Sequence, residues 1–241
     1  RYAAVTVVHS ETSTGVLTDV RAITQLARAH GAVCLIDSVT GVAGAPLEFD
    51  AWELDYVLTG SQKALALPPG LAFAAASEAF IAQAATVGDR GLYFDLVEFE
   101  AFARKRQTPN TPALSLLYAL DAQLAAIAAE GIDTRWARHA AMAETTARWV
   151  GETASATGLA LGVLAPPGAA APTVTAVTVP DGVTGDAVVR GAAERGFVIG
   201  GGYGALKSRT FRIGHMGDHT VAGLTRCLAA CADALAGLVK G

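Results

Sequence analysis

The chain reads as an α/β protein with a large domain on a mostly parallel sheet, followed by a small C-terminal α+β domain. Three observations predict this. From Ala3 to about Ser77, short apolar runs alternate with helical stretches, the rhythm of a doubly wound sheet. Long helical patterns then run to Thr157, and Pro166-Pro167-Gly168 beyond them is the clearest breaker. After it the patterns follow in the order β-α-β-β-α, which places the domains at 1–157 and 158–241.

Taken in order, Ala3 to Val8 is the opening strand and a helix follows near Val20 to His30. Val33 to Ile36 is a continuous apolar run, as expected for a short strand buried in a parallel sheet. Tyr56 to Leu58 and Leu71 to Ala76 are further strands, and Tyr93 to Gln107, rich in aromatics and charge, is a connecting region. Helices are expected at Ala113 to Ala129 and Thr134 to Thr157. The small domain then takes strand Thr173 to Val179, helix Gly185 to Arg195, a short strand Phe197 to Ile199, strand Arg209 to Ile213 and helix Val221 to Leu238. Trp136 and Trp149 lie on helical patterns as core or interface residues.

Composition narrows the function classes. At 241 residues the chain can bury a substantial core. The net charge is −4, and no basic stripe with interleaved aromatics appears, which argues against a nucleic-acid partner. Apolar runs such as Leu71 to Ala76 fall short of a membrane span. Arg1 leads straight into the first strand with no signal-peptide pattern. Cys34 on a predicted strand and Cys227 and Cys231 on a predicted helix form neither a disulfide framework nor a four-ligand zinc site. A reducing cytoplasm is the expected compartment, and no metal is expected.

Lys63 is one of four lysines and sits between two apolar stretches in Thr59-Gly-Ser-Gln-Lys-Ala64. An amine on a short polar loop against apolar walls loses hydration and becomes able to attack a carbonyl, the chemistry of a pyridoxal phosphate (PLP) enzyme. A surface lysine lying over apolar neighbours is the competing reading. Asp37 shifts the balance, because it stands at the carboxyl end of the Val33 to Ile36 strand, where parallel sheets keep their sites. A carboxylate there can pair with a protonated pyridine nitrogen and keep the ring an electron sink.

His9-Ser-Glu-Thr-Ser-Thr-Gly15, Leu35-Ile-Asp-Ser-Val39, Thr59 to Ala64 with Pro68-Pro-Gly70, and Phe211-Arg-Ile-Gly214 together resemble the class V aminotransferases. Within that group the likeness is to the alanine:glyoxylate and serine:pyruvate aminotransferases. The resemblance implies the PLP-dependent transferase fold (aspartate aminotransferase-like, fold type I) and a homodimer with shared active sites. It implies Lys63 as the Schiff-base lysine and proton-transfer base, Asp37 as partner of the pyridine nitrogen, Val39 against one ring face, Thr12 near the ring hydroxyl and Gln62 on the phosphate. Thr111 matches a residue that reaches the neighbouring subunit's phosphate, whereas Thr108 departs from the aromatic hydroxyl common at its position. Arg212 is implied for the substrate carboxylate, which a guanidinium fork binds in two parallel hydrogen bonds. Family members also carry a stretch ahead of the strand that opens this chain, with a phosphate-binding loop and a ring-stacking aromatic, so the chain is expected to be incomplete at its N-terminal side.

The implied reaction is transamination between a small amino acid, alanine or serine, and a 2-oxo acid, glyoxylate or pyruvate. A PLP lyase such as a cysteine desulfurase is the alternative in the same fold, and it requires a nucleophilic cysteine on a mobile loop. A noncatalytic fragment that keeps fold and dimer surface is the third reading. Gly200 to Gly204 lacks the lysine and hydroxyl residue of a P-loop and reads as a close-approach or turn segment. His9 and His215 read as satisfied structural histidines.

Overall fold

The computed structural model describes residues 2–239. Its first sheet begins with β1 (Ala4–Val8), from which a small hairpin of β2 (Ser10–Glu11) and β3 (Val16–Leu17) leads to helix α1 (Val20–Ala29). Next come β4 (Val33–Asp37), β5 (Tyr56–Gly60) and β6 (Ala72–Ala76), giving the sheet order β1-β4-β5-β6. β1, β4 and β5 are parallel, so His9, Ser38 and Ser61 all leave the same edge of the sheet. β6 is antiparallel, with Tyr56 opposite Ala76 and Gly60 opposite Ala72. The expected mostly parallel sheet is therefore present.

α1 starts where Asp19 accepts a hydrogen bond from the Ala22 amide, an N-cap that satisfies an otherwise unpaired donor. Val20, Thr24 and Ala27 form its buried stripe. That stripe packs on Cys34, Ile36, Leu54 and Val57. Beneath it, Asp55 is buried and its Oδ2 accepts from the Cys34 amide at 2.8 Å. Asp55→Ala would strand that buried donor, and a loss of about 1–3 kcal/mol is expected in urea unfolding; an unchanged midpoint would refute this role.

Beyond β6, the chain runs through α2 (Glu78–Ala84), α3 (Leu96–Arg104), α4 (Leu114–Glu130) and α5 (Ile132–Thr157). α3 falls within the expected Tyr93 to Gln107 connecting region, and α2 lies ahead of it. Ser77 caps α2 by accepting from Phe80, and Asp95 caps α3 by accepting from Val97. The aromatics between them, Tyr93 and Phe94, pack edge to face at 4.8 Å between ring centroids.

The second sheet is antiparallel and has the order β7-β8-β10-β9, built from β7 (Gly162–Val163), β8 (Val174–Thr178), β9 (Gly200–Gly201) and β10 (Thr210–Gly214). α6 (Gly185–Glu194) and α7 (Val221–Val239) cover it together with α5. Met142, Val150, Val188, Phe211, Ile213, Leu228 and Leu235 make this core, and Trp149 meets Phe211 edge to face at 6.5 Å. Trp149 is thus a core residue.

The short strand expected at Phe197 to Ile199 is displaced to Gly200–Gly201. The Phe197 amide bonds back to Ala192 O, so this backbone closes the end of α6 after the Gly196 turn and does not pair with β10. A second correction concerns apolar length: over Val221–Leu238, α7 is long and apolar enough to cross a membrane. Leu224, Leu228, Cys231 and Leu235 are instead buried in the core with α5 and α6.

Candidate active site

The site assembles where β1, β4 and β5 end. β5 delivers Gly60 to a turn bearing Ser61, Gln62 and half-buried Lys63. Ser61 is fully buried, and its hydroxyl donates to Pro68 O at 2.7 Å while accepting from the Leu71 amide at 3.2 Å. Backbone bonds from Ser61 N to Leu71 O and from Leu67 N to Ser61 O close the loop further. Inside it, the Ala66 amide donates to Lys63 O at 2.9 Å. Gly60 leaves room for Gln62, whose Oε1 would lie 3.0 Å from a β-carbon placed there.

One strand over, Asp37 stands exposed at the end of β4, its Oδ1 accepting from the Val39 amide at 2.9 Å. Among the described residues Oδ2 has no hydrogen-bond partner. Ser38 N donates to Leu58 O and the Thr59 hydroxyl to Val39 O, fixing this turn to the stem of the Lys63 loop. Ser38 and His9 share a hydrogen bond at 2.9 Å, and burial pushes His9 down to about 4, so the ring is neutral at pH 7.

Thr12 sits at the tip of the β2–β3 hairpin, and its hydroxyl meets that of Thr40 at 2.7 Å. The hairpin also lies on the second sheet: Gly15 has φ +72°, and a β-carbon there would stand 3.0 Å from Val174 O. Ser10 and Thr173 hydroxyls meet at 3.1 Å across the same junction. From β10, Arg212 completes the cluster, with Nη1 donating to Thr12 O at 3.2 Å and Nε to Gly201 O at 2.7 Å. The Tyr203 ring lies 5.8 Å from the guanidinium carbon. Two of the five donors of Arg212 are thereby used, leaving a forked end for a carboxylate.

The structure thus links Lys63, Asp37, Val39, Thr12 and Arg212 through one set of hydrogen-bonded turns. Gln62 shares the Lys63 turn and is exposed. Thr111 stands apart: it is exposed on the segment before α4, with no hydrogen bond to the cluster among the described residues. Residues that sequence reasoning passed over are Ser61, Ser38 and Thr40, whose hydroxyls tie the turns together. Their only sequence signal is adjacency to Lys63 and Asp37. His215 is a buried structural residue, with Nδ1 at 2.9 Å from Pro172 O and Nε2 at 2.9 Å from the Thr175 hydroxyl.

The class V aminotransferase family model matches residues 1–203. The chain belongs to that family. It is 37% identical over 217 residues to the soluble hydrogenase small subunit of Synechococcus, and 36% identical over 230 residues to serine–glyoxylate aminotransferase of Arabidopsis thaliana. These alignments cover 89% and 94% of this chain but 54% and 56% of the relatives, so the chain spans about half the length of the curated relatives it matches. The crystal structure of alanine–glyoxylate aminotransferase from Nostoc superposes with a TM-score of 0.86 at 30% identity, covering 97% of this chain and 62% of that one. The fold is that of the PLP-dependent aminotransferases of fold type I, and the class V family implies PLP as cofactor.

The residues of this class V chain fit that group by their chemistry. Lys63 offers an amine for an aldehyde, the free Oδ2 of Asp37 an acceptor for a protonated ring nitrogen, Thr12 a hydroxyl with remaining capacity and Gln62 an exposed amide for a phosphate oxygen. A groove of about 800 Å³ lies elsewhere, between β1 and α1, lined by Val5, Ile23, Leu26 and Ala27. It holds no comparable donor set.

Proposed function

We propose that the protein transfers an amino group from a small amino acid, alanine or serine, to a 2-oxo acid, glyoxylate or pyruvate, using PLP attached at Lys63. One observation carries this reading. Lys63, Asp37 and Arg212, a nucleophile, an anion and a carboxylate grip, are joined through the Thr12 and Val39 turns at the carboxyl edge of the parallel strands. When bound, PLP supplies the aldehyde that takes up the amino group and the ring that accepts the electron pair left at the α-carbon.

The roles of the chain's own groups follow. Arg212 holds the substrate carboxylate and so selects which α-carbon bond faces the ring. Lys63 Nζ removes the α-proton and returns a proton to complete the transfer. Asp37 would hold a proton on the ring nitrogen by offering its Oδ2. Val39 would pack against the ring, and Gln62 and Thr12 would hold the phosphate and ring-hydroxyl ends. Thr111, exposed before α4, would reach the phosphate of a partner subunit in a homodimer. Three free thiols suit a reducing cytoplasm. The small uncharged donor is supported by the absence of a second arginine within this cluster, among the described residues, and by relatives named for serine and alanine.

The test is glycine formation from glyoxylate with L-serine, L-alanine or L-aspartate as donor, in protein supplied with PLP. Serine or alanine is expected to be preferred, and turnover with none of the three would refute the reading. Arg212→Met is expected to raise KM for the donor roughly ten- to a hundredfold through loss of charge-assisted hydrogen bonds. An unchanged KM would remove Arg212 from the carboxylate site.

A further inference from the structure

The Lys63 loop is also held by a buried residue of α5 that lies outside the hydrogen-bonded turns of the candidate site. Arg135, in the first turn of α5, is 2% exposed. Its Nη2 donates to Ala64 O, one residue after Lys63, at 2.7 Å and to Asp218 Oδ1 at 3.0 Å. Its Nη1 donates to Glu130 Oε2 at 2.8 Å. The spacing matters here, because a bond to Ala64 O fixes the plane of the Ala64–Leu65 peptide and so anchors the backbone one residue beyond Lys63.

The other side of Lys63 is fixed by the same helix. His139, one turn along, places Nδ1 at 2.7 Å from Arg135 O and its Nε2 accepts from the Gly217 amide at 3.0 Å. Gly217, at φ +81°, lies over the Lys63 carbonyl, which would stand 3.5 Å from a β-carbon there. Arg138 holds Gly217 O at 3.0 Å and shares Glu130 with Arg135. Hydrogen bonds from Arg138 and Arg135 hold the Glu130 carboxyl down at about 2, so the cluster keeps its charges at pH 7.

We propose that Arg135 is a positioning residue for Lys63, setting the approach of its amine by holding Ala64 O, while Glu130 and Asp218 offset the buried guanidinium charge. This rests on the reading of Lys63 as the PLP-bearing lysine. A purely structural salt bridge would act on stability alone; a positioning residue acts on Lys63 reactivity in protein that remains folded.

The experiment compares wild type, Arg135→Met and Glu130→Gln, the last removing the charge of an Arg135 partner without touching Ala64 O. Lys63 is followed in two ways below the melting temperature of every variant: acetylation by acetic anhydride in PLP-free protein, relative to Lys105 and Lys207, and the rate of PLP attachment trapped by borohydride and located by peptide mass mapping. Arg135→Met is expected to change Lys63 acetylation and to slow attachment at least about tenfold, with Lys105 and Lys207 unaffected and Glu130→Gln within about twofold of wild type. Equal effects in both variants, or none in Arg135→Met, would overturn the proposal while leaving the reading of Lys63 intact. Attachment in wild type at a lysine other than Lys63 would overturn both. Should Arg135→Met give no folded protein, Arg135→Lys is read by the same criteria, since it keeps a cation for Glu130 and Asp218 but lacks the fork that also reaches Ala64.

Discussion

Lys63→Ala is expected to abolish covalent PLP attachment and to lower transamination by about a thousandfold or more, the combined cost of losing the nucleophile and the proton-transfer base. The fold is expected to survive, because Lys63 is half-buried and its amine makes no hydrogen bond among the described residues, whereas the loop is closed by Ser61. The check is incubation with PLP, borohydride reduction and peptide mapping, followed by the donor and glyoxylate assay, with circular dichroism on the same samples. A borohydride-stable adduct that persists in Lys63→Ala, or wild-type labelling centred on Lys105 or Lys207, would remove Lys63 from its role.

The second large effect is a loss of stability in mild acid. His9 and His215 are buried and neutral, each pushed by burial from 6.5 to about 4. In this direction the folded state binds fewer protons than the unfolded chain between those values. Stability is therefore full above pH 6.5 and falls as pH drops toward 4. At about pH 5 each ring costs roughly 2 kcal/mol, some 4 kcal/mol together, at about 1.36 kcal/mol per pH unit. Glu130 acts in a different window: its lowered carboxyl contributes stability above its ordinary value of 4.5, which is lost only as pH falls toward about 2. Urea unfolding at about pH 7 and pH 5 measures the difference. Equal stabilities would show that the two rings accept protons without breaking their contacts. His215→Gln should remove about half of the pH dependence.

Local pattern carried much of this architecture. The apolar runs of β4, β5 and β6 pair in one sheet, with Asp37 the last residue of β4 and Lys63 in the turn after β5. Short polar elements were less legible. α3 was hidden because Tyr93 and Phe94 swamp a capping signal from Asp95, and β9 is two glycines that pair only because β10 lies beside them. Within the site, the long-range bonds were invisible: nothing local joins Thr12 to Arg212 or Ala64 to Arg135, separated by 200 and 71 positions. Such contacts depend on the closure of the whole fold, and no periodicity encodes them.

The reversal of direction between β5 and β6 has a thermodynamic consequence for Lys63. Because the loop leaves one strand and returns on its hydrogen-bonded neighbour, with Gly60 facing Ala72, its ends are held together by the sheet itself. Most of its chain entropy is lost when the sheet forms and none of that loss awaits the ligand. The amine is offered on a preorganised ring of backbone, so the affinity for whatever it captures is not reduced by the ordering of a free tether.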